Sequence, residues 1–104
     1  MLTEDQVKEL ETKYGRVAHV VGAGGKWEVV FRKPARAEYK RFRSMSHNPS
    51  TVADAQETLC RACVVHPSKE AFDALLEDWP GICEAAGKAL SELAGIAVDE
   101  SVKA

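Results

Sequence analysis

The stretch WEVVFRKPARAEYK, residues 27–40, contains the change of pattern that decides the fold. Its first half places apolar side chains at Trp27, Val29 and Phe31, and this alternation with a period of two predicts a β-strand. Pro34 follows the strand and suits the first turn of a helix, because a proline there loses no helical hydrogen bond. The stretch therefore predicts a strand that passes directly into a helix rich in basic residues.

The residues before this stretch predict an N-terminal helix and the first half of a β-hairpin. Thr3 and Gln6 have the spacing of a capping box, and Gly15 stands where the helix would end. Residues 16–21 are rich in β-branched side chains, and the glycine-rich turn at 22–25 joins them to the strand. Because an isolated hairpin is marginally stable in water, its apolar face must pack on the helices that follow.

From Pro34 onwards, apolar residues recur at spacings of three and four, and we expect only helices there. The expected fold class is α+β, a mostly helical single domain of residues 1–95 with an N-terminal helix, one β-hairpin and about four short helices. Residues 96–104 are small or charged, and we expect them to fray as a C-terminal tail. Three proline-containing breaks separate the four short helices: Asn48-Pro49, Pro67-Ser68 and Pro80-Gly81.

Length and composition narrow the class of protein. The chain has 104 residues, 45% of them apolar, with a formal net charge of −2, which gives a core but no overall bias towards nucleic acid or acidic lipid. The polar N-terminus lacks a signal-peptide pattern, and no apolar run approaches the ~20 residues of a membrane helix. Three cysteines, an odd number, argue against a disulfide framework. We therefore expect a cytoplasmic protein with no membrane partner.

Four residues of the second half have the side chains of a zinc site: Cys60, Cys63, His66 and Cys83. A tetrahedral zinc ion requires four such ligands. However, Cys60 and Cys63 fall inside a predicted helix, where Cys63 continues the apolar stripe. Free cysteine is also among the most frequently buried residues. We therefore favour a buried role for the cysteines, keep zinc as the alternative, and expect no cofactor.

The sequence lacks the motifs of catalysis. The Gly22-x-Gly24-Gly25-Lys26 run is followed by a tryptophan and a strand, whereas a phosphate-binding loop needs Ser or Thr and then a helix. No paired carboxylates and no nucleophile with an adjacent base emerge from the spacing. The sequence therefore predicts a binding protein rather than an enzyme.

Charge is the most uneven property of the chain. Residues 32–43 contain six basic side chains and one acidic one, whereas residues 70–104 contain eight acidic and two basic ones. Arg36, Lys40 and Arg43 share one face of the predicted helix, and such a stripe suits a phosphate backbone or an acidic partner. The other interpretation is a solvated face that complements the acidic half of the same fold.

Five residues are candidates for partner binding: Arg32, Arg36, Lys40, Arg43 and Trp79. Trp79 is included because it directly precedes the break at Pro80-Gly81, and an indole at an exposed break is a common interface anchor. Core packing is the alternative for this side chain.

Two segments resemble small tail assembly chaperones of tailed bacteriophages and prophages. In residues 27–40, an extended segment ends in a basic residue and a proline, and a helix then opens with Arg36-Ala37-Glu38-Tyr39. Residues 64–76, VVHPSKEAFDALL, are also similar to such proteins. The similarity in layout spans residues 16–94.

This resemblance implies a non-enzymatic protein of the host-cell cytoplasm that binds the tape-measure protein and tail-tube subunits during tail assembly. Chaperones of this kind often self-associate, so the resemblance also implies a homo-oligomer. The alternative function is a small nucleic-acid-binding phage regulator that uses the basic segment 32–43. Nucleic acid is the less favoured partner, because the chain as a whole is acidic.

Overall fold

The structure, a computed structural model, describes residues 1–96 of the chain. The fold is α+β and mostly helical, as the sequence predicts, with an N-terminal helix, one β-hairpin and four later helices. The described helices and strands are, in chain order, α1 (Glu4–Tyr14), β1 (Val17–Gly22), β2 (Trp27–Arg32), α2 (Arg36–Ser46), α3 (Val52–Cys63), β3 (Val64–His66), α4 (Lys69–Asp78) and α5 (Ile82–Leu93).

The N-terminal helix α1 has the caps that its sequence predicts. The Thr3 hydroxyl accepts a hydrogen bond from the Gln6 backbone N–H at 3.2 Å, and the Gln6 side chain accepts one from the Thr3 N–H at 2.8 Å. Gly15 ends the helix with a φ of 83°, a value that favours glycine. No residue of α1 is buried. The chain is held to the sheet just before α1, where the Leu2 N–H donates to the Glu28 carboxylate at 3.0 Å.

The predicted hairpin is present, and β2 is the central strand of a three-stranded antiparallel sheet. β1 and β2 pair from Val17 opposite Arg32 to Gly22 opposite Trp27. A Cβ atom at Gly22 would overlap the Trp27 indole, so this end of the hairpin requires glycine.

The strand β3 corrects the expectation that everything after Pro34 is helical. Its three residues, Val64–His66, pair with the other edge of β2, with Phe31 opposite Val64. Three residues are too few to show a period of two, and they follow α3 without a break. The strand forms because β2 offers an unpaired edge, which is a tertiary effect that a local pattern does not contain.

The apolar face of the hairpin packs on the later helices. Trp27, Val29 and Phe31 are buried on this face, and the Phe72 ring of α4 meets Phe31 edge-on with ring centroids 6.0 Å apart. Val30, on the opposite face of the strand, is also fully buried. The rest of the core comes from α3, β3 and α5: Leu59, Cys60, Cys63, Val64, Ile82, Cys83, Ala86 and Leu90.

The helix α2 begins at Arg36, so Pro34 precedes it instead of forming its first turn. Pro34 is buried between β2 and the helix, and Ala35 is the N-cap, with an extended backbone. Alanine has no side-chain oxygen with which to cap a helix. The Glu38 carboxylate instead binds back to the cap, where it accepts a hydrogen bond from the Ala35 N–H at 2.8 Å.

The Arg32 guanidinium joins three elements. It donates two hydrogen bonds to the Glu38 carboxylate of α2, at 2.7 and 2.8 Å, and one to the Ala62 carbonyl of α3, at 2.8 Å. The hydrogen bonds from Arg32 hold the pKa of Glu38 below its ordinary value. One side chain therefore fixes β2, α2 and α3 relative to one another.

The last described helix, α5, ends at Leu93. Of the tail predicted for residues 96–104, only Ile96 is described, and it is exposed. The remainder of that prediction lies outside the described residues. Within residues 1–96, no helix has the length and the apolar character needed to cross a membrane.

Replacing Phe72 by alanine tests the contact between α4 and the hairpin. We expect Phe72→Ala to lower the free energy of unfolding by about 3–5 kcal/mol, because it leaves a cavity against Phe31. Phe72→Leu should cost less than about 2 kcal/mol, because it keeps most of the volume. Urea unfolding followed by circular dichroism measures both values. An alanine variant as stable as the leucine variant would contradict the packing described.

Replacing Glu38 by glutamine tests the ion pair with Arg32 through its pH dependence. Because the folded-state pKa of Glu38 is lowered, its stabilisation is complete above the ordinary pKa and is lost as the pH falls through the folded-state pKa. We expect Glu38→Gln to cost about 1–2 kcal/mol near pH 7. The difference from the wild type should shrink below about pH 4. Urea unfolding across this pH range measures it, and a gap that stays constant would argue against the pair.

Candidate functional site

A concave surface that encloses a volume of about 770 Å³ lies between α2 and Ala94, the residue that follows α5. Nine residues line it, and the four that are not basic are two alanines, a proline and Tyr39. We call this surface the basic groove, after the five lining residues that are basic: Arg16, Lys33, Arg36, Lys40 and Arg43.

One wall of the basic groove is the face of α2 that the sequence predicts. Arg36, Lys40 and Arg43 are exposed and follow one another at spacings of four and three, so they form one stripe on the helix. The stripe extends about 10 Å along the helix axis. Tyr39 also lines the groove, but its ring packs on Phe42, with centroids 5.8 Å apart. The structure thus brings three of the predicted binding residues together.

The opposite wall contains Arg16, which the sequence reasoning missed, and Lys33, which belongs to the predicted basic segment 32–43 but not to the five binding candidates. Arg16 precedes β1, and its guanidinium donates to the Leu93 carbonyl at the end of α5, at 3.3 Å. Lys33 is its neighbour across the hairpin, since the Lys33 N–H donates to the Arg16 carbonyl at 3.2 Å. The register of the hairpin therefore places Arg16 and Lys33 beside the helical stripe.

Within residues 1–96, no acidic side chain neutralises the positive charge of the basic groove. No carboxylate is among the described residues that line it. In the described part of the chain the ion pairs are His19–Glu28, Arg32–Glu38 and Arg61–Asp73, and none of them includes a groove cation. The described acidic residues of 70–96 thus form no ion pair with this stripe. Such a surface attracts anionic ligands.

Neither Arg32 nor Trp79 is among the residues that line the groove. The Arg32 side chain is only 28% exposed, and its guanidinium is engaged by Glu38 and Ala62, so we exclude it from the binding surface. Trp79 is half-buried and packs against the core. It follows the last residue of α4, and its backbone N–H donates to the Leu75 carbonyl at 2.7 Å. Packing against the core therefore covers part of the Trp79 side chain.

The three cysteines are free and buried in the core, which is the role that the apolar stripe favours. The Cys60 sulfur lies 4.0 Å from the Cys83 carbonyl oxygen, whereas His66 lies on β3 opposite Val30. Within residues 1–96, no group of three or more His, Cys, Asp or Glu side chains is arranged to hold a metal ion. Burial raises the pKa of Cys63 to about 11, and hydrogen bonding to Cys83 together with burial raises the pKa of Cys60.

We expect the native protein to react slowly with Ellman's reagent near pH 8, because all three thiols are buried and the pKa values of Cys60 and Cys63 are raised. Unfolding in guanidinium should make all three thiols react at once. Absorbance of the released thiolate measures both phases. A fast phase of one equivalent in the native protein would contradict the burial described.

Comparison with known proteins identifies a family and a similar fold. A family described as a domain of unknown function, DUF6848, matches residues 10–103. No curated protein matches the chain. The solved structure of an uncharacterised protein from Bacillus stearothermophilus, rbstp2171, is similar, with a TM-score of 0.74 and 26% sequence identity over 93% of this chain and 99% of that one. Because the family match spans nearly the whole chain, the chain belongs to the DUF6848 family.

Proposed function

We propose that this protein is a non-enzymatic binding protein whose basic groove holds an acidic helical segment of a partner protein. The observation that carries the proposal is the composition of the groove, whose described lining residues include five cations and no carboxylate. Opposite charge across an interface speeds association and selects the partner.

A helical partner fits this surface better than an extended one. Arg36, Lys40 and Arg43 repeat with the period of a helix, so a second helix lying alongside α2 with carboxylates at the same spacing can pair with all three. Pro34, Ala37 and Tyr39 add apolar surface between the cations. A groove lined by both apolar and charged residues suits an amphipathic helix.

The resemblance of residues 27–40 and 64–76 to tail assembly chaperones implies that the partner is the tape-measure protein. On this proposal the protein acts in the host cytoplasm, and the groove holds acidic segments of the tape-measure protein, a long helix-rich chain, while tail-tube subunits are recruited. Each contact would be weak, because its charges are exposed to solvent. Many copies along one long partner would nevertheless bind tightly through multivalency.

A nucleic-acid-binding regulator is the second candidate, since the same cations would attract phosphates. Tyr39 in the groove is the observation that favours it, because aromatic rings stack on bases. However, the Tyr39 ring is already packed on Phe42, and the protein as a whole has a net charge of −2. We therefore favour the protein partner.

Fluorescence anisotropy with labelled helical peptides tests the groove. We expect a peptide with glutamates at i, i+4 and i+7 to bind at low salt, and the matched glutamine peptide to bind at least about tenfold more weakly. The double variant Arg36→Glu/Lys40→Glu should weaken binding of the acidic peptide by about the same factor or more. The matched control, Lys8→Glu/Lys26→Glu, makes the same change of charge at exposed positions outside the groove and should bind like the wild type.

Equal binding of both peptides, or equal loss in both double variants, would contradict the proposal. Labelled single- and double-stranded DNA in the same assay tests the second candidate, the nucleic-acid-binding regulator. That function requires DNA to bind more tightly than the acidic peptide. Co-purification with the tape-measure protein encoded in the same genome tests the tail-assembly partner. Failure of the wild type to retain that protein at low salt would exclude it as the partner.

A further inference from the structure

The helix α4 carries an acidic stripe that mirrors the basic stripe of α2. Glu70, Glu77 and Asp78 are exposed, and Glu70 and Glu77 are seven residues apart on one face. This separation equals that of Arg36 and Arg43, about 10 Å along a helix axis. Within the described part of the chain, none of the three carboxylates forms an ion pair.

Asp73, the fourth carboxylate of α4, forms an ion pair within the fold and is therefore not part of the acidic stripe. Asp73 accepts from the Arg61 guanidinium of α3 at 2.9 Å, and the Lys69 ammonium donates to the Arg61 carbonyl. These contacts attach α4 to α3 along one side. Among residues 1–96, the stripe formed by Glu70, Glu77 and Asp78 therefore has no ion-pair partner.

The acidic stripe does not fill the basic groove of its own chain. No residue of α4 is among those that line the groove, and α2 packs on α3 whereas α4 packs on β3. Each copy of the protein thus presents a basic concave surface in one place and an acidic convex helix in another. Both have unpaired charges at matching separations.

We propose that α4 of a second copy docks into the basic groove, with Glu70 and Glu77 paired with the cations of α2. This inference rests on the proposed function, because it uses the same groove for an acidic helix, but it names the protein itself as an occupant. The two surfaces are different, so the contact is heterologous. Copies therefore associate head to tail, and an external acidic segment must displace α4 of the neighbouring copy to enter the groove.

Sedimentation equilibrium of the full-length protein tests this contact. We expect the average mass to rise with concentration at roughly 50 mM salt, and the association constant to fall at least about tenfold at about 500 mM salt. Two charge-reversed variants should each stay monomeric at low salt: Arg36→Glu/Lys40→Glu in the groove and Glu70→Lys/Glu77→Lys on α4. Mixing these two variants in equal amounts should restore association, because the groove of each then meets an α4 of opposite charge.

The control variant Lys8→Glu/Lys26→Glu should associate like the wild type. Circular dichroism should show that the variants fold. In α4, Glu70→Lys removes a favourable charge near the N-terminus and Glu77→Lys removes an unfavourable one near the C-terminus, so the two effects on helix stability largely offset each other. A wild type that stays monomeric at low salt, or a mixture that fails to associate, would overturn the proposal. The α4 variant keeps an intact groove, so its binding of the acidic peptide shows separately whether the proposed function holds.

Discussion

The guanidinium of Arg32 sets the position of the surface on which the proposed function depends. The side chain leaves the end of the central strand, forks onto the Glu38 carboxylate of α2 and reaches the Ala62 carbonyl of α3. A guanidinium carries its N–H donors in one plane and can form two parallel hydrogen bonds with a carboxylate, whereas a lysine ammonium cannot match this geometry. Because α2 forms one wall of the basic groove and the hairpin forms part of the other, this cluster fixes the distance between them.

The groove keeps its charge at a cost to the fold. Arg36, Lys40 and Arg43 are like charges at helical neighbour spacings, and each such pair destabilises a helix by about 0.2–0.5 kcal/mol. A carboxylate at any of these positions would relieve the repulsion, and none is present. Local rules that a sequence breaks in this way are typical of binding surfaces, where the missing counter-charges come from another molecule.

Local signals were sufficient to predict α1, the hairpin and the four later helices. The capping box at Thr3, the glycine turn and the proline breaks act within a few residues and need no distant partner. The strand β3 and the wall of the groove at Arg16 depend on contacts between distant segments, namely the free edge of β2 and the end of α5. The helical stripe of the groove was therefore predictable from periodicity, whereas the concave surface that it borders was not.

The helix α1, like α2, has no buried residue, but α2 packs along α3 whereas α1 contacts mainly the edge strand β1. Near its start, the chain is tied to the sheet at Glu28, whose carboxylate accepts the Leu2 N–H and also binds the His19 ring at 2.7 Å. An element with so little buried surface opens at a small fraction of the free energy of global unfolding. In the native ensemble, the backbone amides of α1 therefore exchange with solvent while the central strand and the groove stay intact.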